Sequence, residues 1–221
     1  MGYWRAKRQR QANPGVSIVV LASGGGSNFQ ALLDDDHVRP YLSALICNRP
    51  GAGCLARAET AGLSQIVINH SEFDSRDAFD TALGDQLSAL NPDWIVMAGF
   101  MRILGEDFMR RFDGKMVNIH PSLLPKYKGL HTHQRALDAG DSQAGVSVHW
   151  ATAELDGGPL IGQRSVTIQT GDDASTLAAR VLQQEHQLYP AVCRALIQGR
   201  LVMAPSQTLL DGAPIDRMDH F

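Results

Sequence analysis

The chain has 221 residues with a formal net charge of −3, and its 44% hydrophobic and 19% charged residues suit one globular domain with a sizeable core. No apolar run approaches the roughly 18 residues that a membrane span requires. The three cysteines, Cys47, Cys54 and Cys193, contain no C-x-x-C pair, which indicates a reducing compartment and thiols that act as small core residues. We therefore expect a cytoplasmic protein.

Positive charge is concentrated at the amino terminus. Arg5, Lys7, Arg8 and Arg10 lie within the first fourteen residues, which leaves −7 on the rest of the chain. A folded body that acidic is a poor nucleic-acid binder. The basic segment lacks the apolar stretch of a signal peptide, so residues 1–15 are predicted to be a disordered extension. An arm that attracts RNA or a membrane is the alternative.

A glycine-rich loop follows the first predicted strand, residues 16–22. It reads Ser-Gly-Gly-Gly-Ser-Asn over residues 23–28, and helical spacing begins at Phe29. Glycines let backbone N–H groups approach an anion. A dinucleotide fingerprint would need glycine where Phe29 stands, and the second strand, residues 42–47, ends without an acid for a ribose. The loop therefore predicts a site for one phosphate monoester, and a purely structural turn is the alternative.

The rest of the chain alternates between strands and helices. Further helices are predicted over residues 53–61, 76–90 and 174–198, with a short one from Thr132 or His133 to Gly140. Further strands are predicted over residues 65–69, 94–98, 115–117, 145–150 and 160–168. This order predicts an α/β fold with a Rossmann-like open, mostly parallel sheet, helices on both faces, and antiparallel strands near the C-terminal end.

Residues 118–125 read Asn-Ile-His-Pro-Ser-Leu-Leu-Pro and follow the apolar strand 115–117. Residues two apart on a strand point to the same side, so Asn118 and His120 should face one crevice. Ligands of open α/β sheets bind beyond the carboxyl ends of the strands. The alternative is a strand end whose Asn and His cap their own backbone.

Two other segments contain residues that could bind a ligand. Residues 99–104 read Gly-Phe-Met-Arg-Ile-Leu, and one arginine among apolar side chains suits a flat, partly polar ring. The alternative is that these apolar residues are core and that Arg102 is solvated. His131 and His133 form a His-x-His pair, but no third ligand lies nearby at zinc spacing, so we expect no metal.

The segments 23–28, 98–104 and 118–125 occur together and in order with Gly-Leu-His-Thr-His at residues 129–133 and Glu-Leu-Asp-Gly-Gly-Pro at residues 154–159. With them the chain resembles the phosphoribosylglycinamide formyltransferase family, a branch of the folate-dependent formyltransferases. The likeness runs from Val16 to Leu201. The 118–125 run is common to folate formyltransferases, whereas residues 129–133 together with the glycine loop are more specific to the glycinamide ribonucleotide branch.

The resemblance implies transfer of a formyl group from 10-formyltetrahydrofolate to the amine of 5-phosphoribosylglycinamide, in purine biosynthesis and without a metal. The catalytic domain would span residues 16–202, and residues 203–221 would form a tail. By this resemblance the catalytic residues are Asn118, His120 and Asp156. The ribonucleotide-binding residues are Gly24, Gly25, Gly26, Ser27, Asn28 and Glu185. The folate-binding residues are Arg76, Met101, Arg102, Ile103, Leu104, Asn118, Thr152, Ala153, Glu154, Leu155 and Asp156.

The chain departs from the family pattern at Gly25, where relatives often have Asn, so any side-chain contact from this position is lost.

The same three catalytic residues would also serve a tRNA formyltransferase or a formyltetrahydrofolate hydrolase. The former normally has a second, basic domain after the catalytic one, and the latter a regulatory domain before it. Here about twenty residues follow Leu201 and fifteen precede Val16. A noncatalytic nucleotide- or folate-binding module is the remaining alternative, which a turnover assay would distinguish.

The expected partners are small-molecule substrates, with no nucleic acid and no membrane, and a homodimer is compatible with the sequence.

Overall fold

The computed structural model describes residues 15–215 and Phe221, so the predicted basic extension, apart from Gly15, lies outside the described residues. The helices are α1 (Ser27–Leu33), α2 (Gly53–Ala61), α3 (Arg76–Leu90), α4 (Glu106–Arg111), α5 (Thr132–Asp138) and α6 (Ala174–Ile197). The strands of the main sheet are β1 (Ile18–Ala22), β2 (Leu42–Cys47), β3 (Ser64–Val67), β4 (Trp94–Met97), β5 (Met116–His120), β6 (Gln143–Trp150) and β7 (Leu160–Thr167). A second sheet contains β8 (Leu201–Ala204), β9 (Gln207–Leu210) and β10 (Ala213–Pro214).

The main sheet has seven strands in the order β3-β2-β1-β4-β5-β6-β7. The first five strands in this order pair in parallel, whereas β6 is antiparallel to both of its neighbours. The chain leaves β1 for β2 on one side and later crosses to β4 on the other. Ligands of open α/β sheets bind at such a reversal of strand order, so the carboxyl end of β1 is the expected position for a site.

Helices cover both faces of the sheet because its central strands are apolar on both sides. In β1, Val20 belongs to a core shared with α1, α2, α5 and α6, while Val19 and Leu21 belong to a second core shared with α3 and α4. A near-continuous apolar run of this kind is typical of a parallel strand buried on both faces. The predicted fold class is confirmed.

A short helix and a small sheet were not predicted from the sequence. The six-residue helix α4 follows the apolar segment 99–104, and it packs Phe108 and Met109 against the second core. The small sheet β8–β10 begins at Leu201, within the predicted domain 16–202, and continues through residues for which only a tail was predicted. It contacts the main sheet through Thr208, whose hydroxyl accepts a hydrogen bond from Trp150 Nε1 at 3.0 Å and donates to the Leu160 carbonyl at 2.6 Å. The proposed division at residue 202 stays a prediction.

Candidate active site

His120 and Asp156, two of the predicted catalytic residues, lie side by side in the structure. His120 ends β5, and its Nδ1 is 3.4 Å from Asp156 Oδ2, with less than a tenth of either side chain exposed. On the other side of the ring, Nε2 donates to the Tyr127 carbonyl at 2.9 Å. Both ring nitrogens therefore face oxygen atoms.

The loop between β6 and β7 holds the Asp156 carboxylate in place. Asp156 has a left-handed backbone conformation with φ of 48°, which Asp tolerates better than most residues, and its Oδ2 also accepts the Gly129 N–H at 2.8 Å. The loop returns close to β6, because a Cβ at Gly158 would lie 1.9 Å from the Trp150 carbonyl oxygen. Glycine at this position is therefore required for the geometry that brings Asp156 to His120.

Asn118 pairs with a histidine that the motif analysis did not select. Asn118 and His149 are opposite each other in the β5–β6 ladder, and Asn118 Nδ2 is 3.2 Å from His149 Nε2. His149 Nδ1 donates to the Trp150 carbonyl at 2.8 Å, and burial lowers the pKa of His149. The neutral ring therefore has its lone pair on Nε2, which accepts one hydrogen of the Asn118 amide. The second amide hydrogen is left to donate elsewhere.

The glycine loop provides unpaired backbone donors at the carboxyl end of β1. Gly26 precedes α1 with φ of 74°, and no side chain caps this helix. Within the described part of the chain, the N–H groups of Gly24, Gly25 and Gly26 have no hydrogen-bond partner. The two longest helices are capped by a side chain, Ser75 for α3 and Asp173 for α6, whereas α2, α4 and α5, like α1, have no side-chain cap. The loop therefore leaves its donors available to an anion.

Asn28 and Glu185, both predicted for the ribonucleotide site, are in contact although they are 157 residues apart. Asn28 Nδ2 donates to Glu185 Oε2 at 2.6 Å, and both side chains are buried. Burial raises the pKa of Glu185, an effect that the hydrogen bond from Asn28 partly opposes. The Asn28 Oδ1 atom is buried without a hydrogen-bond partner, so this pair retains an unsatisfied polar atom next to the glycine loop.

Most of the predicted folate residues line one cavity. Its predicted members are Arg102, Ile103, Leu104, Asn118, Thr152, Ala153, Glu154, Leu155 and Asp156. Its other members are Met97, Met109, His149 and Ala151. Apolar and polar groups are therefore combined in this cavity, and Asn118 and Asp156 form part of its wall.

Arg76 and Met101 lie outside that cavity. Arg76 starts α3 and lines a neighbouring crevice together with Gly105, the residue that follows Leu104. Met101 is 59% exposed, and its backbone N–H donates to Ser23 Oγ at 2.8 Å. Met101 thus joins the 99–104 segment to the glycine loop through its backbone.

The sequence of this chain is similar to those of known formyltransferases. A sequence model described as formyl transferase matches residues 16–193. The chain belongs to the formyl transferase family. Phosphoribosylglycinamide formyltransferase of Escherichia coli (strain K12) is 46% identical over 200 residues, covering 89% of this chain and 94% of that protein. The enzyme of the same name from Haemophilus influenzae is 41% identical over 203 residues, covering 90% of this chain and 96% of that protein.

A solved structure within the same family has the same architecture. Phosphoribosylglycinamide formyltransferase from Coxiella burnetii superposes with a TM-score of 0.87 at 44% identity, covering 93% of this chain and 98% of that one. Membership of the formyl transferase family makes this protein an enzyme of formyl transfer and implies a folate-type formyl donor.

Two further polar residues position the loops of this formyl transferase. Ser23 Oγ donates to Asn48 Oδ1 at 2.6 Å while it accepts the Met101 N–H, and both side chains are nearly fully buried. The sequence indicated only that no acid for a ribose follows the second strand, and it assigned no role to Asn48. A polar residue directly after a buried strand was the available signal for Asn48, and the strand alternation of residues 145–150 was the signal for His149.

No metal site or membrane span is evident in residues 15–215. In this range no cluster of three or more His, Cys, Asp or Glu side chains could hold a metal ion. His131 starts the turn before α5 with φ of 59°, and His133 Nδ1 is buried without a partner. No helix in this range is long and apolar enough to cross a membrane.

Proposed function

We propose that this formyl transferase moves the formyl group of 10-formyltetrahydrofolate to the amine of 5-phosphoribosylglycinamide, a step of purine biosynthesis. The observation that carries the proposal is the glycine loop, whose unpaired N–H groups lie at the carboxyl end of β1. The same molecule contains the three predicted catalytic residues, Asn118, His120 and Asp156. The loop suits the phosphate of the acceptor. The folate would occupy the cavity between residues 102–104 and 152–156.

The proposed chemistry begins with the neutral acceptor amine, which attacks the formyl carbon and forms a C–N bond. The formyl oxygen becomes anionic in the tetrahedral intermediate. The free hydrogen of the Asn118 amide donates to it, and a fixed donor of this kind stabilises an oxyanion by roughly 2.7–4 kcal/mol. His149 supports this role because it holds the other amide hydrogen.

Collapse of the intermediate requires a proton at the departing folate nitrogen and the loss of one from the attacking amine. His120 is proposed to exchange the Tyr127 carbonyl at its Nε2 for the reacting groups, so that Nε2 donates to the oxyanion or transfers this proton. Asp156 is proposed to hold the His120 ring through Nδ1 and to orient a water that accepts the amine proton. No nucleophilic side chain is needed because the substrate amine is itself the nucleophile.

Acceptor dependence tests the proposal directly. Release of deformylated folate, followed by absorbance, is expected to require 5-phosphoribosylglycinamide. The same acceptor without its phosphate should react much more slowly, because the N–H groups of the glycine loop lose their anion. Equal rates with and without the acceptor would identify a hydrolase instead and refute the proposal.

Ile103→Asp tests the proposed folate cavity. Ile103 is 60% exposed and lines this cavity, so a charge there would lie against the apolar ring face without disturbing the core. We expect a large loss of folate affinity in calorimetry and little change for the ribonucleotide. Val202→Asp, at a 52% exposed residue of β8, is the matched control and should leave both affinities unchanged. Loss of ribonucleotide binding alone would mean that the two sites are reversed.

The proposal also includes the cellular compartment and the partners of the enzyme. Three free cysteines suit a cytoplasmic enzyme, and the charge of −7 outside the basic segment argues against nucleic acid as a partner. Small molecules are then the expected partners, with no membrane and no metal. A homodimer stays a prediction, which sedimentation would test.

A further inference from the structure

Two of the three cysteines form a close pair beneath the glycine loop. Cys47 ends β2 and Cys54 is the second residue of α2, and their sulfur atoms are 3.5 Å apart with the Cys54 thiol donating to Cys47. Both are free thiols and fully buried. The segment that connects them passes over the protein surface, where residues 49–51 are exposed.

The pair contacts the glycine loop directly. The Cys54 N–H donates to the Gly24 carbonyl at 3.0 Å. Gly26 lies against Cys54 so closely that a Cβ at Gly26 would be 2.7 Å from the Cys54 Cβ. Cys54 therefore contacts the loop both through its Cβ and through its N–H, so a displacement of Cys54 acts on the loop backbone.

We propose that Cys47 and Cys54 are a peroxide-sensitive dithiol whose disulfide weakens binding at the glycine loop. A disulfide requires the two sulfurs to approach to about 2.0 Å, which draws the start of α2 towards the end of β2. The backbone of Gly24 to Gly26, which carries the unpaired N–H groups, would then shift. The effect on the ribonucleotide rests on the proposed function, whereas the formation of the disulfide does not.

The chemistry needs a peroxide as its only co-reactant. The Cys47 thiolate attacks one peroxide oxygen, so that an S–O bond forms, the O–O bond breaks and the departing hydroxide takes up a proton as water. The Cys54 sulfur then attacks the sulfenic sulfur, the S–S bond forms, and the hydroxyl leaves with the Cys54 proton as a second water. Two thiols are oxidised and one peroxide is reduced to two waters, and a dithiol reverses the bond by exchange.

Differences among the three cysteines favour reaction at this pair. The hydrogen bond from Cys54 lowers the pKa of Cys47 despite its burial, and the backbone N–H of Arg49 is 3.5 Å from the Cys47 sulfur. Burial within α6 raises the pKa of Cys193, which leaves it as an unreactive thiol. Hydrogen peroxide is small enough to reach Cys47 when the exposed segment over it opens locally.

The test is a thiol count on the reduced, full-length protein after treatment with a small excess of hydrogen peroxide. The free thiols, counted after unfolding, should fall from three to one, and mass spectrometry should map the link to Cys47 and Cys54. The KM for the ribonucleotide should rise at least about tenfold with folate binding unchanged, and dithiothreitol should restore it. Cys193→Ser is the matched control, in which the count should fall from two to none.

Two results would overturn the proposal. The first concerns the folded protein at a peroxide dose that oxidises the same protein unfolded in urea. The proposal fails if the folded protein keeps all three thiols at this dose, or if the Cys193 thiol is oxidised as readily as those of Cys47 and Cys54. The second is a mapped Cys47–Cys54 link that leaves the KM unchanged. The thiol count needs no activity, so an enzyme that forms the link but shows no acceptor dependence would refute the proposed function and not the disulfide.

Discussion

Asp156→Asn is expected to lower turnover at least roughly 10²-fold while the binding of both substrates changes little. The substitution preserves shape but removes the charge that lies 3.4 Å from His120 Nδ1. An Asn side chain that still accepts the Gly129 N–H no longer presents a carboxylate to the imidazole. Asp113→Asn, at an exposed carboxylate just before β5, is the matched control and should retain full turnover.

The coupling of His120 and Asp156 can be measured with a double substitution. Residues that act as one unit are not additive, so His120→Ala combined with Asp156→Asn should cost little more than the worse single change. Turnover and both dissociation constants of the singles and the double provide the comparison. Fully multiplicative losses would show that the two side chains act independently. Asn118→Ala should likewise act on turnover, because the oxyanion exists only in the transition state and the intermediate.

Gly26→Ala is expected to destabilise the protein and to abolish tight ribonucleotide binding. Gly26 has φ of 74°, and a Cβ there would lie 2.7 Å from the Cys54 Cβ and 2.9 Å from its Cα. A left-handed conformation costs a residue with a Cβ roughly 1–2 kcal/mol, and overpacking costs typically about 1–3 kcal/mol. We expect a loss of at least about 2 kcal/mol in the free energy of unfolding in urea, with the KM for the ribonucleotide strongly raised.

Gly25→Ala is the control for this prediction. A Cβ at Gly25 meets no atom within 4 Å, so the variant should unfold like the parent protein and keep most of its affinity. Equal losses in the two variants would show that the loop tolerates no side chain at all. The contact between Gly26 and Cys54 would then not be the cause.

The local signals of this sequence were sufficient for the fold class and for many element boundaries. The bounds predicted for α2 and α3 coincide with the observed ones, and those of β2 do as well. These elements begin and end at signals within a few residues, such as the Ser75 cap of α3 and the left-handed Gly62 after α2. The strand predicted at residues 115–117 extends to His120 in the structure, so Asn118 and His120 lie on one strand, along which side-chain direction has a period of two.

Tertiary structure alone decided what these residues contact. The pairing of Asn118 with His149 follows from the antiparallel register of β5 and β6, and Asn28 meets Glu185 across 157 residues because α1 packs against α6. The small sheet β8–β10 was missed because it depends on packing, including the hydrogen bonds that join Thr208 to Trp150 and Leu160. A residue's own sequence neighbourhood determines its backbone preference, whereas its distant partners depend on how strands and helices pack, which no local pattern encodes.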